Sequence, residues 1–276
     1  MTDGSLTWIG TSWKMNGSLA FARAYATGLR ARAGAGWPGI QPFVIPPATA
    51  LAVVSAVLRP GTGVLLGAQN AHWEQRGAWT GELSVEQVAD AGATLVEIGH
   101  SERRAWFGDT DELVHRKVLA TLRAGLRPLV CVGESAEDFA AGRSAEVVTA
   151  QVSSALAGVT PDQRPAPIVA YEPIWAIGDH GREATPEDIA ATVATIAERF
   201  GDRLESVLYG GSVNRQNLTA ILDIPAVGGA FIGRAAWTLT GYLDLLDLAS
   251  EHLACSDVPL AVHSPAVHHS VKLVDH

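Results

Sequence analysis

Ile168-Val169-Ala170-Tyr171-Glu172-Pro173-Ile174-Trp175-Ala176-Ile177-Gly178 begins the unit from which the fold can be read, and Thr185-Pro186-Glu187-Asp188 turns that unit into a helix. The apolar run 168–171 ends on a carboxylate and a proline, which is the length of a buried strand and too short for a helix. Beyond the glycine, Thr185 supplies a capping hydroxyl, Pro186 suits the first helical position, and Glu187 and Asp188 lie near the positive helix end. Apolar residues at three-or-four spacing then predict an amphipathic helix over 186–200. A strand, a loop and a helix in that order form one repeat of a parallel α/β sheet.

The same unit recurs on both sides. Short apolar runs at 6–10, 42–45, 64–68, 94–98, 128–132, 168–171, 207–209 and 230–232 predict eight strands, with helix-like segments such as 113–124 and 145–156 between them. Eight units without a break in composition favour a closed (β/α)8 barrel over an open doubly wound sheet. The expected domain covers 1–254, its last helix running roughly over 241–254. The segment 255–276 has four histidines and no apolar period, and is expected to be a peripheral tail.

With 276 residues, 47% hydrophobic and 18% charged, the chain can bury a large core and lies far from the disordered regime. A formal charge of −9 without Lys/Arg clusters argues against a nucleic-acid surface, so any bound phosphate must be held locally. The two cysteines, Cys131 and Cys255, have neither disulfide-framework nor metal-ligand spacing, and a reducing cytoplasm is the expected compartment. Nothing resembles a secretory leader or a membrane span. No metal or cofactor is expected, because no histidine and carboxylate pair has ligand spacing near the strand ends; His263, His268 and His269 belong to the tail.

In a parallel barrel the carboxyl ends of the strands open on one face. The polar residues there are Ser12, Lys14 and Asn16 after the first run, Glu97, His100 and Glu102 around the end of the fourth, and Glu134 after the fifth. Glu172 follows the sixth run, Gly210, Gly211 and Ser212 the seventh, and Gly233 and Arg234 the eighth. A lysine, a histidine and a carboxylate thus converge. Such a trio can supply a proton acceptor, an electrophile and a fixed positive charge.

The segments 12–17 (SWKMNG), 98–104 (IGHSERR), 131–134 (CVGE), 170–178 (AYEPIWAIG) and 209–213 (YGGSV) resemble, in family order, the signature segments of triosephosphate isomerases. The resemblance spans about residues 8 to 240 and implies a barrel isomerase. It makes Glu172 the base, His100 the electrophile, Lys14 the fixed positive charge and Glu102 the partner of Lys14. Cys131 is expected as a packed neighbour. The Ser101-Glu102-Arg103-Arg104 run reads as the first turn of a helix whose positive end keeps His100 neutral. Backbone N–H groups of Gly178, Ser212, Gly233 and Arg234 would cradle phosphate. The resemblance makes Pro173, Ile174, Trp175, Ala176, Ile177 and Gly178 a mobile lid over bound phosphate, within a longer loop reaching Ala184. It implies that Glu134 and Tyr209 hold the lid open and closed. The segment 67–84 resembles the loop through which the family forms homodimers, with Thr80 reaching the partner's site.

Three departures fall inside the site. Ser12 replaces an asparagine, Arg234 replaces a glycine, and the loop 178–184 (GDHGREA) is one residue longer than usual. Together with 69–73 (QNAHW) and 231–237 (FIGRAAW), they resemble the paralogous L-erythrulose 1-phosphate isomerases of erythritol catabolism. That resemblance implies L-erythrulose 1-phosphate as substrate and D-erythrulose 4-phosphate as product. Two alternatives remain open at this level: a triosephosphate isomerase, which shares every catalytic residue, and a silent barrel that binds phosphometabolites without turning them over.

Overall fold

The computed structural model describes residues 6–59, 61–178 and 181–256. Eight parallel strands, β1 (Thr7–Ser12), β2 (Ile40–Ile45), β3 (Leu65–Ala68), β4 (Leu95–Ile98), β5 (Arg127–Val132), β6 (Ile168–Tyr171), β7 (Ser206–Tyr209) and β8 (Gly229–Ile232), follow one another round a closed barrel. The barrel shuts where Trp8 to Thr11 of β1 lie beside Gly229 to Ile232 of β8. Each strand agrees with an expected run within a few residues. The largest shift is in β1, which continues past Gly10 because Ser12 still pairs with Ile45 of β2.

Ten helices surround the strands among the described residues: α1 (Leu19–Ala33), α2 (Leu51–Leu58), α3 (Val85–Asp90), α4 (Ser101–Phe107), α5 (Asp111–Arg123), α6 (Ala136–Ala140), α7 (Ser144–Ala155), α8 (Pro186–Phe200), α9 (Leu218–Leu222) and α10 (Leu239–Ser256). The start of α8 is built as its residues require: the Thr185 hydroxyl accepts from the Asp188 N–H, and the Asp188 carboxylate accepts from the Thr185 N–H. The last helix runs to Ser256, two residues beyond the expected 254, and packs on the core through Leu246, Ala249 and Leu253. Residues 257–276, with the four tail histidines, lie outside the described residues.

Alternation along the strands separates two cores. Val44, Val96, Ile98, Val130 and Val169 face the helices. Trp8, Phe43, Leu95, Leu129, Cys131, Ile168, Ala170, Leu208 and Phe231 fill the barrel interior, where Phe43 and Phe231 stack at 5.7 Å between centroids. Truncating a ring such as Phe43 in this layer costs about 3–5 kcal/mol. The packed floor leaves the next layer up, at the strand carboxyl ends, to polar residues.

Candidate active site

A cavity of about 380 Å³ opens at the carboxyl ends of the strands, lined by Ser12, Lys14, His100, Glu172, Ile177, Gly178, Ser212, Gly233 and Arg234. Its volume suits a small phosphorylated metabolite. Residues expected from five strand ends and from the loop after β6 therefore meet around one space.

Glu172 enters the cavity because β6 turns inward there and neighbouring chains leave room. A Cβ on Gly210 would lie 2.6 Å from the Glu172 Cγ, so only glycine at 210 admits this side chain without displacement. The carboxyl is 3% exposed and its Oε2 has no hydrogen-bond partner. Burial first, and Glu97 next, hold it well above the usual carboxylate range, which strengthens it as a base. Its nearest charged-type neighbour is the His100 Nε2, 3.6 Å from Oε2, beyond hydrogen-bond length.

His100 caps α4, and its Nδ1 accepts the Glu102 N–H at 3.1 Å. A ring that accepts at Nδ1 carries its single proton on Nε2, the atom facing Glu172 and the cavity. Burial, then Lys14, push the imidazole pKa down to about 4. It is a neutral donor across the neutral range.

Lys14 takes a left-handed backbone (φ 52°), uncommon for a residue with a side chain. Neighbours hold that turn: the Gln69 side chain donates to the Lys14 carbonyl at 2.8 Å, and the Asn16 amide donates to the Trp13 carbonyl at 2.8 Å. The lysine Nζ bonds to the Glu102 Oε1 at 2.6 Å. Cys131 is buried beside Glu172, and burial pushes its thiol well above the ordinary range, so it is no thiolate nucleophile.

The segment 173–178 is anchored at Trp175, while its Ile177 and Gly178 line the cavity. The indole Nε1 donates to the Glu134 Oε1 at 2.8 Å, and the ring packs on Phe139 with centroids 4.2 Å apart. The Arg182 guanidinium stacks on the same indole at 4.6 Å. Ser212 donates to the Ala176 carbonyl at 2.8 Å, while the buried Tyr209 hydroxyl has no partner. Ile174 is exposed, and Asp179 and His180 lie outside the described residues. Thr80 lies on the exposed stretch 74–83, so within one chain it completes nothing.

Sequence reasoning passed over several contributors. Phe139 reaches the site from another element, and Gln69, though part of the 69–73 stretch, gives no local sign of its bond to the Lys14 carbonyl. Arg182 belongs to the long loop, and its stacking on Trp175 depends on how the loop folds back. Glu97 stands at a strand end, and its spacing of two from Leu95 is a legible sign that it faces the barrel interior.

A closed parallel barrel with a dry carboxylate, a neutral imidazole and a lysine round a metabolite-sized cavity is an enzyme of the isomerase class. Residues 7–249 match the family model described as triosephosphate isomerase. The chain belongs to the triosephosphate isomerase family. It is 52% identical over 246 residues to the L-erythrulose-1-phosphate isomerase of Mycolicibacterium smegmatis, covering 89% of this chain and 94% of that protein. To the L-erythrulose-1-phosphate isomerase of Brucella abortus it is 47% identical, covering 87% and 94%. A crystal structure of triosephosphate isomerase from Bartonella henselae superposes with a TM-score of 0.75 at 35% identity, covering 88% of this chain and 98% of that one.

Proposed function

We propose that the protein interconverts L-erythrulose 1-phosphate and D-erythrulose 4-phosphate by proton transfer through an enediolate. Glu172 takes the proton from the hydroxyl-bearing carbon next to the ketone. The C–H electrons form the enediolate double bond, and the carbonyl electrons move onto oxygen, where His100 Nε2–H and Lys14 meet the charge. Returning the proton to the former carbonyl carbon, with the hydroxyl proton passed between the two oxygens at His100, leaves the ketone one carbon along. No external oxidant or reductant is required.

The observation that carries the reaction is the unpaired, buried Glu172 Oε2 facing the His100 Nε2 across one cavity. The choice of a four-carbon substrate rests on the 52% identity to a relative named for it. Gly178, Ser212, Gly233 and Arg234 form the rim suited to the phosphate, and closure of the 173–178 lid would exclude water during the reaction. A triosephosphate isomerase is the second reading, supported by the likeness to the Bartonella henselae structure. Comparing kcat/KM on L-erythrulose 1-phosphate and on dihydroxyacetone phosphate decides between them; a strong preference for the triose would overturn the tetrulose assignment.

The working unit is a homodimer in the cytoplasm, with Thr80 of each chain beside the neighbour's Lys14. Met15, 96% exposed beside the catalytic lysine, and Trp79, 47% exposed on the 67–84 segment, give that assembly apolar surface to bury.

A further inference from the structure

Glu97 is a buried carboxyl that carries no proton in the transfer, although its charge helps to raise Glu172. On β4, Leu95 faces the barrel interior, so Glu97, two residues on, faces it as well. It is 3% exposed, in the polar layer with Ser12 of β1 and Glu172 beyond β6. The Ser12 hydroxyl donates to the Glu97 Oε2 at 2.8 Å. That bond crosses the barrel beneath the cavity, joining strands that are not neighbours. Ser12 is further pinned by its backbone carbonyl, which accepts the Trp237 Nε1–H at 3.0 Å.

The bond gives the serine a direction. With its only proton committed to Glu97, the Ser12 oxygen offers the cavity lone pairs, and so accepts hydrogen bonds there. The phosphate rim lies on the β6 to β8 side, at Gly178, Ser212 and Gly233. Ser12 lines the same cavity, on β1 next to β8, as a polar group outside the catalytic trio within reach of a bound chain.

We propose that Ser12 and Glu97 form a subsite for the terminal hydroxymethyl group of a four-carbon ketose phosphate: Ser12 accepts the substrate hydroxyl and Glu97 is the positioning residue that orients Ser12. The inference rests on the tetrulose reading above. A three-carbon substrate lacks this hydroxymethyl, so the pair acts on specificity.

The test is the ratio of kcat/KM for L-erythrulose 1-phosphate to that for dihydroxyacetone phosphate, measured in the full chain. Ser12→Ala and Glu97→Leu should each lower the ratio about tenfold, the size of one hydrogen bond in a water-excluded site, and the double variant should lower it no further. Glu97→Gln keeps an acceptor oxygen for Ser12 and should hold the ratio within about threefold of wild type. Equal losses on both substrates in Glu97→Leu, or effects that multiply in the double variant, would overturn the proposal. If Glu97→Leu does not fold, Ser12→Ala still decides, since an unchanged ratio removes the subsite. A wild-type preference for the triose would sink the substrate reading alone; the change in ratio judges the pair separately.

Discussion

Glu172 and His100 are tuned in opposite directions by the same dry cavity, since burial raises an acid and lowers a base. Shortening Glu172 to aspartate withdraws the carboxylate by about one bond while leaving the phosphate rim intact. The expected outcome is a fall in kcat of about 100-fold or more with little change in KM, read by steady-state kinetics. Imidazole ¹⁵N spectra should show His100 as the neutral Nε2–H form from about pH 5 to pH 8, because its pKa is pushed down to about 4. Glu97 adds a stability signature. Burial raises its carboxyl from 4.5 to about 7, so the folded state holds this proton more tightly than the unfolded chain between those values. Its contribution is complete below 4.5 and is lost as pH rises through 7. Glu97→Gln does not titrate, so its Tm advantage over wild type should grow by roughly 5 °C between about pH 5 and pH 8, measured by calorimetry.

At the scale of elements, α4 and the loop after β6 do the positioning. The first turn of α4 donates its Glu102 N–H to the His100 ring, so one helix start fixes both the tautomer and the place of the electrophile. The loop is held by a side-chain assembly in which Trp175 is gripped by Glu134, Phe139 and Arg182. Trp175→Phe keeps the ring contact and deletes the bond to the Glu134 carboxyl, a loss of about 1.5–3 kcal/mol from the docked state. Hydrogen exchange at 174–178 and 181–184, followed by mass spectrometry, should quicken about tenfold or more in that variant while exchange in β6 stays as in wild type.

For the whole molecule, the closed barrel brings residues as far apart as Ser12 and Arg234 to one mouth. The proposed second copy bears on Met15, which at 96% exposure contributes almost nothing to the packing of its own chain. Met15→Asp should therefore leave the circular dichroism unchanged, convert the dimer to monomer in sedimentation, and remove most activity by freeing the Lys14 turn from its neighbour. A dimer that persists with full activity would refute that assembly.

Much of this was open to reading in the chain itself. Strand positions, the α8 start and the strand-end places of Lys14, His100 and Glu172 follow from local patterns, because apolar period, capping chemistry and strand-end polarity are properties of adjacent residues; the roles of the three came from the resemblance of whole segments. The direction of the Ser12 hydroxyl, the unpaired Glu172 oxygen, the docking of Trp175 on Phe139 and the left-handed Lys14 turn held by Gln69 were decided only by the tertiary structure. Each depends on groups dozens of residues apart meeting within a few ångströms, and on the low-dielectric space that their meeting creates.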